Sequence, residues 1–293
     1  MVATTSSTGE GWSSRTAFIL AAVGAAVGLG NIWRFPTLAG ESGGGAFVIV
    51  YIACVFLLGL PLVLSEIFIG RVGQTDAIGS IRRVAAQSQA SPGWSVFGAV
   101  GALAAFLIVA FYSVVAGWVL YYVGGMGSDL AQAIMAGDPF RGALAGESRE
   151  HIQQRLGDMF ANPGLLLAVH FLFMGLTLYI VARGVSSGIE KAATYLMPVF
   201  FVLLVGLVIY GAIEGDIGDA AAFLFTPDWS KLTPEVMNSA LGQALFSLSL
   251  GVAGLTTYGS YIKEGSALGP TAAIIAIADT CVALLAGLMI FPI

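Results

Sequence analysis

The sequence is 293 residues long, 57% apolar and only 10% charged, with a mean hydropathy of +0.89. Such a composition excludes a soluble domain, which could not cover its surface with polar groups. The apolar runs are long and continuous, which excludes a β-barrel with period-two strands, and the net charge of −5 gives no hint of nucleic-acid binding, so no nucleic-acid partner is expected. The fold class is therefore an all-α polytopic membrane protein whose partner is the lipid bilayer.

Residues 1–13 are polar and rich in Gly, Ser and Thr, and read as an N-terminal tail. The first helix is predicted over residues 14–38. Arg15 ahead of an apolar run resembles a signal peptide, but the run is long and further spans follow, so it reads as a retained helix. Gly28 and Gly30 interrupt it about halfway, and Asn31 follows at once. Each glycine costs a helix interior about 1 kcal/mol relative to alanine. A broken ladder in hydrocarbon leaves backbone groups unpaired, which is tolerated only where they line a cavity or bind something. The alternative is a helix–helix contact, since small residues four apart let backbones approach closely.

A loop at 39–45 carries Glu41 and three glycines, and helix 2 follows at 46–70 with Glu66 near its far end. The polar stretch 71–91 reads as a loop with an interfacial helix. Helix 3 covers 93–125, longer than the bilayer core at about 1.5 Å per residue, so it tilts or projects. A long polar connection at 128–162 leads to helix 4 at 163–181, a basic loop at 183–191 and helix 5 at 192–213. An acidic connection with Pro227 and Pro234 spans 214–238. Helix 6 is placed at 239–261, a loop at 263–269, and helix 7 from about 270, with the chain expected to stop inside it.

Arg15, Arg71, Arg82, Arg83, Arg183, Lys191 and Lys263 fall on one side of the membrane in this arrangement. Arg34 and Lys231 fall on the other, with Arg141, Arg149 and Arg155 in the long connection, where charge carries little topological weight. The N-terminus is therefore expected in the cytoplasm of a cell whose plasma (inner) membrane the chain spans. Cys54 and Cys281 lie in apolar stretches and read as buried thiols, and His151 and His170 have no partners at metal-ligand or catalytic spacing. No nucleophile–base pair is visible, so an enzyme is not expected.

Helix 6 repeats the oddity of helix 1. Ser247, Ser249 and Gly251 place two hydroxyls and a glycine at mid-depth. Serines that bond back to their own helix are one reading. Two polar-plus-glycine breaks five helices apart are also the pattern of an inverted-repeat transporter.

At Gly24–Pro36, Gly43–Phe47, Glu66 with Gly70 and Arg71, and Phe246–Gly251 with Tyr258, the sequence resembles the neurotransmitter:sodium symporter family, prokaryotic amino-acid-transporting type. The resemblance covers nearly the whole chain. It implies a five-plus-five inverted-repeat fold of about twelve helices, with helices 1 and 6 unwound at the midplane. Residues 14–213 would be the first repeat, 214–238 an extracellular loop and 239–293 an incomplete second repeat. The chain would thus be a fragment or a truncated product.

The resemblance further implies sodium-coupled symport of an amino acid by alternating access, with a non-transporting binding or regulatory protein, or an inactive fragment, as the alternatives. A first sodium would be held by Ala26, Asn31, Ser247 and Asp279. A second would use Gly24 and Val27 together with an eighth helix. Substrate carboxylate would meet Leu29, Gly30 and Tyr112, and its amine Ala26, Phe246, Ser247 and Ser249. Ile108, Ala26, Phe246 and Val252 would line the side-chain pocket, and Val252 leaves room for a bulky apolar or aromatic substrate. Trp12, Arg34, Tyr112 and Phe246 would act as gates; the usual gate arginine near Trp12 is replaced by Gly9.

Sodium is a hard cation that prefers oxygen ligands. One Na⁺ crossing 100 mV supplies about 2.3 kcal/mol, or roughly fifty-fold accumulation. Asp279 stands where many members have asparagine, and Ala283 where chloride-dependent members have serine. The expectation is that Asp279 supplies the negative charge and chloride is not required. Glu66 is expected to complete a hydrogen-bond network with Gln243 or Tyr51.

Overall fold

The computed structural model describes residues 11–137, 148–263 and 265–293. Most of the predicted tail, Gly9 and Arg141 lie outside them. The chain divides into two compact units, one of residues Met1–Ala105 and Arg183–Ile293 and one of Phe106–Ala182.

In the first unit, α1 (Arg15–Ala26) starts at Ser14, whose hydroxyl accepts the Ala17 N–H at 3.1 Å. It stops where Val27 turns extended. The helix resumes as a π-turn at Gly30–Arg34 and continues as α2 (Phe35–Glu41), the two halves bent by 51°. Pro36 has no N–H to donate into the preceding turn, and the helix takes a π-turn just before it. The Gly-rich loop then has to reverse direction against a neighbour. Gly43 and Gly44 have φ of +82° and +77°, and a Cβ on Gly45 would lie 2.6 Å from the Thr226 carbonyl.

Helix α3 (Gly45–Cys54), a π-turn at Val55–Gly59 and α4 (Leu60–Gly73) form one apolar span of 29 residues. The expected interfacial helix is α5 (Ala77–Gln87), capped by Asp76, which accepts the Gly79 N–H at 3.0 Å. The four backbone hydrogen-bond donors at the start of any helix need such partners.

Helix α6 (Ser95–Met135) has 41 residues, so it runs past the predicted end at 125. Its part from Phe106 on belongs to the second unit with α7 (Arg149–Phe160) and α8 (Pro163–Val181). There Arg155 pairs with Asp129 at 3.1 Å, and Trp118 packs edge-on against Phe160. The α7 helix lies inside the polar connection, where charge hid its 3.6-residue period.

Back in the first unit, a π-turn at Val185–Ile189 opens α9 (Glu190–Glu214), so the predicted basic loop is largely helical. The acidic connection contains α10 (Ile217–Phe225). The sixth predicted helix splits into α11 (Pro234–Ser247) and α12 (Gly254–Gly259). Between them Ser249, Gly251 and Ala253 all have positive φ. Finally α13 (Leu268–Ile290) is a 23-residue apolar span, roughly 35 Å at the helical rise. That length reaches across a bilayer core.

Among the described residues five helices are long and apolar enough to cross a membrane, or six if the bent first pair is one span. The core of the first unit is built on Phe35, Phe47 and Tyr51, all fully buried, with Phe35 and Tyr51 ring centroids 5.0 Å apart. Cys281 is exposed and Cys54 half-buried, so neither thiol is buried as the sequence suggested.

Candidate functional site

Both breaks, at 27–29 and 248–253, fall inside the first unit and face a common set of oxygens. Asn31 is carried by the π-turn just past the first break, and Ser247 is the last residue of α11. Asp279 comes from the middle of α13. All three are buried, Asn31 and Asp279 completely.

The Asn31 amide donates to one Asp279 carboxylate oxygen at 2.8 Å, to the Asp279 main-chain carbonyl at 3.1 Å and to Ser247 Oγ at 2.9 Å. Ser247 Oγ donates to the other carboxylate oxygen at 2.6 Å. The Tyr51 hydroxyl lies 3.4 Å from Ser247 Oγ. The Asn31 carbonyl oxygen accepts the Gly28 N–H at 3.1 Å, which ties the break to the cluster.

No lysine, arginine or histidine lies within ion-pair distance of Asp279 among the described residues. A buried carboxylate without a counter-charge is costly, and an arriving monovalent cation would relieve that cost. The donor set is oxygen throughout, which suits a hard ion. A half-turn of the Asn31 amide would present its oxygen to Ser247 and Asp279 without moving the backbone.

The first break sets dipole ends opposite each other. The last carbonyls of α1, ending at Ala26, and the first N–H groups of the half starting at Leu29 and Gly30 lack intrahelical partners. Carbonyl ends favour a cation and N–H ends an anion. A Cβ added at Gly28 would meet nothing within 4 Å, so this side of the break is open. Ser249 Oγ donates to the Ala25 carbonyl at 3.0 Å and so links the second break to the first. Gly24, Ala26 and Val27 lie at the end of α1, and Val252 sits half-buried within the second break. Ile108 and Tyr112 lie on α6 in the second unit.

Arg34 and Phe246 come together, the guanidinium carbon 4.7 Å from the ring centroid. The Phe246 ring also lies 3.1 Å from where a Cβ on Gly30 would be, so any larger residue would have to push the ring aside. Gln243, expected as no more than a partner of Glu66, instead donates to the Gly30 carbonyl at 2.7 Å and accepts from Arg34 at 3.0 Å. An amide one turn before Ser247 in an apolar helix was the signal available in the sequence. Glu66 reaches neither Gln243 nor Tyr51. It accepts the Gly251 N–H at 2.7 Å and holds the second break from the α4 side.

At the opposite end, Trp12 Nε1 donates to the Tyr258 carbonyl at 3.0 Å, and its ring packs on Phe18 and Tyr258. The segment beside it is held by Glu190, which accepts from both the Ser13 N–H and the Ser13 hydroxyl. Nothing in the sequence linked those two residues, which are separated by 177 positions.

Two unwound helices meeting at buried oxygens inside an apolar bundle are a pattern found in ion-coupled membrane transporters. The chain belongs to the sodium:neurotransmitter symporter family, whose model matches residues 9–131 and 149–293. It is 39% identical to the uncharacterized sodium-dependent transporter YhdH of Bacillus subtilis (strain 168), over 96% of this chain and 58% of that protein. It is 35% identical to an uncharacterized sodium-dependent transporter of Haemophilus influenzae, over 96% of this chain and 60% of that one. The crystal structure of MhsT in complex with L-phenylalanine is similar, with a TM-score of 0.81 and 44% identity. That match covers 97% of this chain and 61% of MhsT. The chain thus spans about 60% of the length of these relatives.

Proposed function

We propose that the chain carries the ion- and substrate-binding core of a sodium-coupled symporter for a bulky apolar or aromatic amino acid. The observation that carries this reading is the buried, counter-charge-free Asp279 joined to Asn31 and Ser247 at two helix breaks. Sodium is cargo here. One ion would sit among Asn31, Ser247, Asp279 and the Ala26 carbonyl. A second would use the Gly24 and Val27 carbonyls, with further oxygens supplied by another helix.

The substrate carboxylate would face the N–H groups of Leu29 and Gly30, and its amine the carbonyl end at Ala26, Phe246 and Ser247 with the Ser249 hydroxyl. Phe246 and Val252 would border its side chain, and Trp12, Arg34 and Phe246 would gate the path. The L-phenylalanine complexed with MhsT in its crystal structure supports an aromatic substrate. Residues 14–213 would form the first repeat and residues from 239 on the start of its inverted partner. The N-terminus would be cytoplasmic in the plasma membrane. Because Asp279 brings its own negative charge, chloride is not needed.

Binding of radiolabelled phenylalanine to the purified chain, in sodium chloride, potassium chloride and sodium gluconate, tests the reading. Saturable binding in both sodium salts, weaker by at least about tenfold in potassium, is the expected result. Equal binding in sodium and potassium chloride would sink the sodium coupling. Loss in gluconate would sink chloride independence, and stronger competition by glycine than by tryptophan would sink the substrate class. Sodium-dependent binding with no flux after reconstitution would favour a binding protein over a symporter.

A Cβ added at Gly28 meets nothing within 4 Å, so Gly28→Asp is expected to keep the fold. Its carboxylate competes with the substrate carboxylate for the same half-helix end. Phenylalanine affinity is expected to fall at least about tenfold, while sodium still raises the melting temperature. Unchanged phenylalanine affinity would move the substrate carboxylate away from this break.

A further inference from the structure

A second polar constellation lies in the first unit, at the end that carries Trp12. A cavity there is bordered by Trp12, Ser14, Arg15, Lys263, Ser266 and Thr271, with Phe18 and Leu268 on its apolar wall. None of these residues except Trp12 has a place in the transport reading.

Two cations, Arg15 and Lys263, border the cavity. Among the described residues neither has a carboxylate within ion-pair distance. The Glu190 carboxylate accepts from Ser13, keeps its charge and lies beyond ion-pair distance of both. Arg15 is nevertheless held in position, because its Nε donates to Thr271 Oγ at 3.0 Å. Thr271 is buried and spends its own proton on the Ala267 carbonyl at 2.8 Å, so its oxygen stays an acceptor. That leaves the terminal guanidinium nitrogens of Arg15 for a ligand, in the planar fork that suits phosphate. Arg15 also opens α1, whose first N–H groups add a favourable field for an anion.

Depth decides which anion fits. Leu268 begins α13, a full apolar span, so the cavity lies where hydrocarbon gives way to headgroups. A ligand seated there meets cations and hydroxyls on one side and Phe18 and Leu268 on the other. We propose that this cavity binds the phosphate head of an anionic phospholipid, with Arg15 and Lys263 taking the phosphate oxygens. The bound lipid would bridge the start of α1 to the segment between α12 and α13. This inference does not depend on the amino-acid reading.

Native mass spectrometry of the purified chain with equimolar phosphatidylglycerol and phosphatidylcholine tests it, with glycerol 3-phosphate as the soluble competitor. Two cations near the membrane surface favour the anionic lipid by about tenfold or more, and that preference is the expected result. Arg15→Gln with Lys263→Gln is expected to bring the ratio close to one. Arg15→Lys with Lys263→Arg retains a preference, and Arg82→Gln, at an exposed position of α5, leaves it unchanged. Lys263→Gln alone, on an exposed connecting residue, gives a partial loss and covers the case in which the double variant does not fold. Equal retention of the two lipids by the unmodified chain, or an undiminished preference in the Gln variants, would overturn the proposal. Glycerol 3-phosphate displacing the lipid at equal concentration would assign the site to a free phosphate ester and overturn the lipid reading.

Discussion

Asp279→Ala is expected to abolish sodium-dependent stabilisation and to lower stability in the absence of sodium. The substitution removes both carboxylate oxygens, which accept from Asn31 at 2.8 Å and Ser247 at 2.6 Å. Two fully buried donors are then left to find new partners, at about 1–3 kcal/mol for each one that fails. Asp279→Asn separates the two effects. It keeps the volume and one acceptor, so stability changes less, but it removes the charge that would attract a cation. The sodium concentration giving half-maximal thermal shift is expected to rise at least about tenfold, following the linkage between ligand affinity and melting temperature. An unchanged sodium midpoint in Asp279→Asn would mean that the carboxylate does not hold the ion and that the cluster is a packing network only.

The second large effect lies outside the cluster, where α4 and α12 touch backbone to backbone. A Cβ on Gly70 would fall onto the Thr256 carbonyl and 2.9 Å from the Ser260 nitrogen. A Cβ on Gly259 would lie 2.6 Å from the Ile67 carbonyl. These obstacles are main chain and cannot rotate away, so Gly70→Leu or Gly259→Leu must push the two helices apart. Overpacking typically costs about 1–3 kcal/mol, and both variants are expected at or above the top of that range, read as a loss of melting temperature in detergent. Sodium-dependent binding falls with it. Glu66 on α4 holds Gly251 in the second break, and that contact is carried on the same interface. Gly28→Ala meets nothing within 4 Å and is the matched control. A melting temperature for Gly70→Leu equal to that of the control would refute the close approach.

The apolar spans were legible in the sequence because hydropathy over some twenty residues is a local property. Helix α8 was predicted with the bounds it has, and α4, α9 and α13 were each placed to within a few residues at one end or both. The two breaks were legible for the same reason. Gly28 and Gly30 beside Asn31, and Ser247 and Ser249 beside Gly251, gather helix-weakening and polar residues at mid-depth of apolar runs. The helices inside polar connections, α7 and α10, were not legible. Charge and proline dominate those stretches, and the helical period there is carried by few apolar residues.

The pairing of polar groups was decided only by the tertiary structure. Asn31, Ser247 and Asp279 could be named from the resemblance, but their contact joins residues up to 248 positions apart. The same holds for Gln243 with Gly30, Glu66 with Gly251 and Ser13 with Glu190. Which partner a buried amide or carboxylate finds depends on the rotation and depth of its helix. Those are set by how closely neighbouring backbones approach at positions such as Gly70 and Gly259. Composition states that a membrane helix carries an acid at position 279. Only the packing of α13 against both broken helices joins that acid to Asn31 and Ser247.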